Sequence, residues 1–378
     1  MTVPAHAESS AGAAPQLEGA AAPAVACPAP LSTQDHAAAL ALPTGVAWWP
    51  APLAWCAVRG PQATLALNGL VTNDVTALPD GSGQLAVTLT AKGKVITDLL
   101  LLRVSSDTLL VATPPAGMEA WLGILRKYVN PRLARATDER ATRSAVVVAG
   151  RGAAALLAPA LSGGDGLHPD ALAPWQHGAG TVEPGATVRV VRLPRWGGVA
   201  QFLVVTEGDG DEGVRGWLGS RGAVAATSAL GELLRVQGGV PRLGADMDEG
   251  TIPQEANLDQ LGAISFTKGC YTGQETVARV HFRGHVNRQL RHLRPVDPRT
   301  VLPVGATLQQ GDGREVGRVT SAVLTPTGEA LALAMVRREV APGGTITVTW
   351  HAPAGPVQVA AHVEAVIAGP AGTPAEAP

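Results

Sequence analysis

The chain has 378 residues, 46% of them apolar, and a formal net charge of −2. That length holds two or three domains around a sizeable core, and the near-neutral balance gives no global attraction to nucleic acid or membrane surfaces. Cys27, Cys56 and Cys270 stand far apart with no C-x-x-C, which argues against a disulfide framework or a cysteine zinc site and suits a reducing, cytoplasmic setting.

Residues 1–45 are rich in Ala and Pro and have no basic stretch leading into an apolar core, so a disordered tail is expected rather than a signal peptide. Residues 369–378 read the same way. Order is expected from Trp48, with a strand over Trp55–Gly60 and a short helix over Gln62–Leu67. In the following Asn68–Val75 stretch, Asn73 and Asp74 either line a ligand cavity or form an Asx-type turn. Leu85–Thr90, Lys94–Val104 and Thr108–Ala112 are β-branched apolar runs separated by turns, an antiparallel meander. Within it Asp98, taken alone, is a strand-end carboxylate. Trp121, Leu122, Leu125 and Val129 share one side of a helix predicted over Pro114–Val129. A second round follows: strand Ala145–Val148, helix Gly152–Leu161, a loop over Ser162–Ala186, a hairpin of Val188–Leu193 and Gln201–Val205, and helix Glu212–Gly219. Two such rounds predict two similar α+β units sharing a core, with a boundary near residue 145 inside a domain spanning 46–289.

Leu230, Leu233, Leu234 and Val236 make Ser228–Gln237 an amphipathic helix that stops at Gly238. Further on, Thr272 and Glu275 have the spacing of a capping box, so a helix is predicted to start there. Cys270 would then precede a helix N-terminus, two residues after Lys268, and both the positive helix end and the ammonium favour a thiolate; the alternative is a buried cysteine in a Gly-rich turn. No acid lies between Glu275 and Asp297, whereas Arg279, Arg283, Arg288, Arg291 and Arg294 do, which predicts a local positive field. His281 and His285 fall four apart, but no third ligand at suitable spacing accompanies them, and no metal site is expected. Short strands with regular turn signals from residue 290 to 368 predict a small closed barrel.

Lys268-Gly269-Cys270-Tyr271-Thr272-Gly273-Gln274-Glu275, with Arg279 beyond it, resembles the K-G-C-[FY]-[TI]-G-Q-E signature of the YgfZ-type folate-binding proteins, relatives of the glycine-cleavage T protein. Asn68–Val75 resembles that family's N-x-x-T-N-D-V, Lys92–Asp98 its K-G-[KR]-x-x-x-D, Leu234–Pro241 its L-R-x-x-x-G-x-P and Pro253-Gln254-Glu255 its P-x-E. The resemblance implies an α+β fold of two meander-plus-helix units sharing a folate-type cavity, followed by the barrel. It places Asn73, Asp98 and Glu255 at the pterin edge, Arg235 as a cation for the anionic tail, and Cys270 with Lys268 as the functional thiol pair. The implied ligand is tetrahydrofolate or a one-carbon derivative. The implied role is support of iron–sulfur protein assembly or repair, including tRNA-modifying enzymes, with iron–sulfur client or assembly proteins as partners. A monomer is expected, with no membrane and no direct DNA binding. The alternative is a tetrahydrofolate-dependent aminomethyl or one-carbon transferase of the T-protein type. Those enzymes carry R-x-G-Y-T-G-E, and the corresponding Arg192–Gly198 here lacks the carboxylate, which points away from that alternative.

Overall fold

The computed structural model describes residues 26–162, 167–183, 185–208 and 210–366. Five strands form the first sheet, in the order Ser82–Leu89, Val95–Ser105, Thr108–Thr113, Ala54–Arg59 and Arg135–Asp138. Alternation along these strands gives each face its own partner. Leu99, Leu101 and Val111 meet the helix Pro115–Tyr128 through Met118, Trp121, Leu122 and Leu125. That helix begins with Pro at its first position and places Arg126 and Lys127 in its last turn, both favourable to its dipole.

The opposite face, with Trp55, Leu100, Leu102 and Leu110, packs against Val147, Val191, Leu203 and Val205 of a second sheet. Six strands make that sheet, in the order Val224–Ala225, Ala47–Pro50, Arg143–Ala149, Gln201–Glu207, Ala186–Leu193 and His177–Val182. Helices Ala153–Ser162 and Gly210–Ser220 cover its outer face over Leu157, Phe202 and Trp217. The result is the expected pair of α+β units on one shared core. A closed six-stranded barrel follows, with Arg288–Pro295, Ala330–Arg337, Glu315–Leu324, Thr307–Gln309, Thr345–Ala352 and Gly355–Glu364 as neighbours in that order.

Three features differ from the sequence expectation. The N-terminal tail was expected to run to residue 45, yet Thr33–Ala41 is a helix. Ser32 caps it, and the buried Asp35 accepts bonds from the Thr227 amide (2.6 Å) and hydroxyl (2.9 Å), tying it to the helix Ser228–Gln237. Residues 1–25 and 367–378 of the expected tails lie outside the described residues. The expected loop Ser162–Ala186 contains the edge strand His177–Val182. Its glycines hide the strand signal, and Gly180 is required because a Cβ there would run into the Ala160 carbonyl of the overlying helix. Finally, Ala47–Pro50 pairs with Arg143–Ala149, so the first strand among the described residues belongs to the second sheet.

Candidate functional site

Three sequence motifs, far apart in the chain, meet at one end of the first sheet. The Asn68–Val75 loop lies beside Val87: the Thr72 amide donates to the Val87 carbonyl (3.0 Å), and the Thr72 hydroxyl accepts from the Val87 amide (2.9 Å) while donating to the Ala263 carbonyl (2.6 Å). Val87 in turn is the cross-strand partner of Asp98. Asn73 donates its side-chain amide to the carbonyls of Leu85 and Gly262, both at 2.8 Å, so it fastens the loop. Asp74 caps the following turn through Thr76 and Ala77.

Lys268 is buried and donates to the carbonyls of Asn68 (2.6 Å), Val71 (2.9 Å) and Asn73 (2.7 Å). Burial pushes its ammonium down to about 8, opposed in part by the nearby Asp74 carboxylate. With its donors committed to backbone, Lys268 holds the Asn68–Asn73 loop in place; it is not a free cation beside the thiol. The predicted capping box is absent as well. The helix runs Gln274–Arg283 behind Gly273, whose φ of 83° is left-handed, and no side chain caps it. Close packing explains this: a Cβ on Gly273 would approach the Thr90 carbonyl to 2.6 Å, and one on Gly93 would approach Thr276 Cβ to 2.6 Å. The two motifs touch backbone to backbone, with the Thr276 hydroxyl bonded to the Lys92 carbonyl at 3.1 Å. Cys270 is exposed on the rim of this junction, which removes the buried-cysteine alternative.

Asp98 lies on the inner face of the first sheet, in line with Leu100 and Leu102. Its Oδ1 is buried with no hydrogen-bond partner, and burial pushes the carboxyl up to about 6. Leu85 and Leu261, both only partly buried, bridge the inter-sheet core and the cluster around Val87. Trp175 is also partly buried against the inter-sheet core, in a left-handed conformation (φ 70°), edge-on to Trp196 at 5.9 Å.

Two expected ligand residues are engaged elsewhere. Arg235 directs all five of its N–H donors to Glu232, Asp246, Ser321 and the Val240 carbonyl, and so joins the α+β core to the barrel. It has no donor left for an anionic tail. Glu255 is buried, accepts from the Ile252 amide (2.9 Å) and is paired with Arg288 (3.1 Å). The expected positive field is also largely neutralised: Arg279 pairs with Glu275, Arg288 with Glu255 and Arg294 with Glu364. His281 stacks on Phe266 (3.6 Å between centroids), and His285 lies past the helix end. Thr72, unremarked in the sequence, proves central; its signal was its place directly before Asn73-Asp74-Val75 in the Asn68–Val75 stretch.

Two facing sheets with helices outside and a closed barrel attached are the architecture of the aminomethyltransferase class. The glycine cleavage system aminomethyltransferase T from Bartonella henselae superposes with a TM-score of 0.75 over 88% of each chain, at 20% sequence identity. Residues 51–268 match the GCVT N-terminal domain and residues 288–364 the glycine cleavage T-protein C-terminal barrel domain. Among curated relatives, the tRNA-modifying protein YgfZ of Cronobacter sakazakii is 30% identical over 289 residues, covering 76% of this chain and 83% of the relative. That of Klebsiella pneumoniae is 32% identical over 290 residues, covering 75% and 83%. The chain belongs to the YgfZ-type proteins of the glycine-cleavage T-protein family.

Proposed function

We propose that this protein binds a reduced folate, tetrahydrofolate or a one-carbon derivative, beside Asp98, and serves tRNA modification by supporting the assembly or repair of iron–sulfur enzymes in the cytoplasm. The observation that carries the folate reading is the buried, unpartnered Oδ1 of Asp98 on an apolar sheet face. Such an atom is costly to bury unless a ligand donates to it, and a pterin edge presents N–H donors while its flat rings suit the apolar strand face that Asp98 shares with Leu100 and Leu102. The tRNA-modification part rests on the names of the relatives. The iron–sulfur part extends from the resemblance of the octet.

Substituting Asp98 tests the first part. Its folded pKa is raised, so the folded state holds a proton that the unfolded chain has lost between about pH 4 and 6, and stability falls as pH rises through that window. Asp98→Asn is therefore expected to stabilise the free protein by about 2 kcal/mol at pH 7, allowing for partial exposure, and to have no such effect at pH 4. Calorimetric titration with tetrahydrofolate should show binding weakened about tenfold or more, the loss of one charged hydrogen bond. Saturating folate that gives neither heat nor a melting shift with the unsubstituted protein would defeat the reading.

Cys270 is proposed as the functional thiol of the same junction. Because it is exposed, Cys270→Ala should change stability by no more than about 0.5 kcal/mol. The same variant should fail to restore iron–sulfur enzyme activity in cells lacking the protein. Full rescue by the alanine variant would remove the thiol from the mechanism.

A further inference from the structure

Arg192–Gly198, the stretch that lacks the transferase carboxylate, borders a cleft of about 520 Å³ between the first helix and the helix Ser228–Gln237. Arg151, Arg192 and Arg195 all line it, and Asp170 is the one acid among the lining residues. Arg192 is the telling member. Its side chain is only 13% exposed, and its guanidinium lies over the Phe202 ring, 4.7 Å from the centroid. Its Nη1 is buried with no hydrogen-bond partner, and Asp170 stands at 3.9 Å, too far for a hydrogen bond, with its own side chain 68% exposed. Burial and the neighbouring Arg195 both depress its basicity, with Asp170 opposing them weakly. A fold gains nothing by burying an unsatisfied guanidinium N–H or by facing like charges into one cleft.

We infer that this cleft is a binding site for an oxyanion, with Arg192 as the buried anchor and Arg195 and Arg151 as the outer clamp. The planar guanidinium fork matches a phosphate or a carboxylate pair. Phe202 lies against the Arg192 guanidinium and holds it in place before a ligand arrives. The left-handed backbone at Gly197 (φ 61°) and Gly198 (φ 78°) gives the turn that carries Arg195 round the rim. Two sources offer the chemistry: a phosphate group, or a chain of γ-linked glutamates.

Calorimetry on the whole protein with inorganic pyrophosphate and, separately, with free penta-γ-glutamate distinguishes them, and neither probe depends on a pterin site. Whichever probe binds names the source, and its dissociation constant should rise at least tenfold in Arg192→Met and in Arg195→Gln. Arg195 is exposed, so its variant remains informative even if Arg192→Met folds poorly. Tetrahydrofolate monoglutamate should bind both folded variants as it binds the unsubstituted chain. Absence of binding by both probes, or affinities unchanged in Arg195→Gln and in a folded Arg192→Met, would overturn the assignment.

Discussion

Lys268→Met is expected to destabilise the protein by about 3 kcal/mol or more at pH 7. The substitution keeps the apolar stem and removes the donors to the Asn68, Val71 and Asn73 carbonyls. An acceptor left dry in the interior costs about 1–3 kcal/mol, and methionine supplies no donor for any of the three. The ammonium's pKa of about 8 leaves it mostly charged at neutral pH, so these are charge-assisted bonds under the conditions of the measurement. Urea unfolding followed by tryptophan fluorescence reads the loss directly. Cys270→Ala, two residues away, is the internal control, since its side chain is exposed. A Lys268→Met protein as stable as its parent would mean that Thr72 and Asn73 hold the loop alone.

Arg235→Met should be at least as damaging, about 3–5 kcal/mol, the range seen when one member of a buried ion pair is removed. The side chain of Asp246 is fully buried at 2.7 Å from Arg235 Nη1, and without the guanidinium it keeps only neutral donors: the Thr320 and Ser321 hydroxyls and the Arg242 amide. Burial alone would depress the basicity of Arg235, but Glu232 and Asp246 outweigh it and hold the guanidinium charged. Because Ser321 belongs to the barrel and Arg235 to the core, the damage should spread across their contact. Hydrogen exchange at the Thr320 and Ser321 amides should quicken more than exchange in the Pro115–Tyr128 helix. Folate affinity, measured where the variant is still folded, should be unchanged. A selective loss of folate affinity with normal stability would restore Arg235 as the tail cation.

The regular parts of the fold were legible because their signals are local. Trp121, Leu122 and Leu125 announce one face of a helix within five residues, and the Lys94–Val104 run announces the strand found at Val95–Ser105. His177–Val182 and Arg135–Asp138 were not legible. The first is a strand made of small residues by the helix packed upon it, and the second is an exposed polar edge. The same divide runs through the candidate site. Its motifs were visible, but the reason for most of their members was not. Gly93 and Gly273 are glycines because each faces the other's backbone across 180 residues of chain, and Lys268 is a lysine because three carbonyls lie about 200 residues back. Glu255 and Glu364 neutralise arginines 33 and 70 positions away, so a run of one charge sign along the sequence did not become a field in space. Asp98 alone among the expected polar ligands keeps a buried side-chain atom with no hydrogen-bond partner.

The chain enters the second sheet at Ala47–Pro50 and crosses to the first at Ala54–Arg59, with only Ala51, Pro52 and Leu53 between. The strand that flanks Ala47–Pro50 on one side starts at Arg143, and the one on its other side at Val224. During synthesis, residues 47–50 must therefore wait for about 175 more before their sheet is complete, long after the first meander has left the ribosome. Cutting the gene near residue 145 would strand that ribbon on the wrong fragment. The two halves are stitched at the start, and a single cooperative unfolding transition for both sheets is the outcome such interleaving favours.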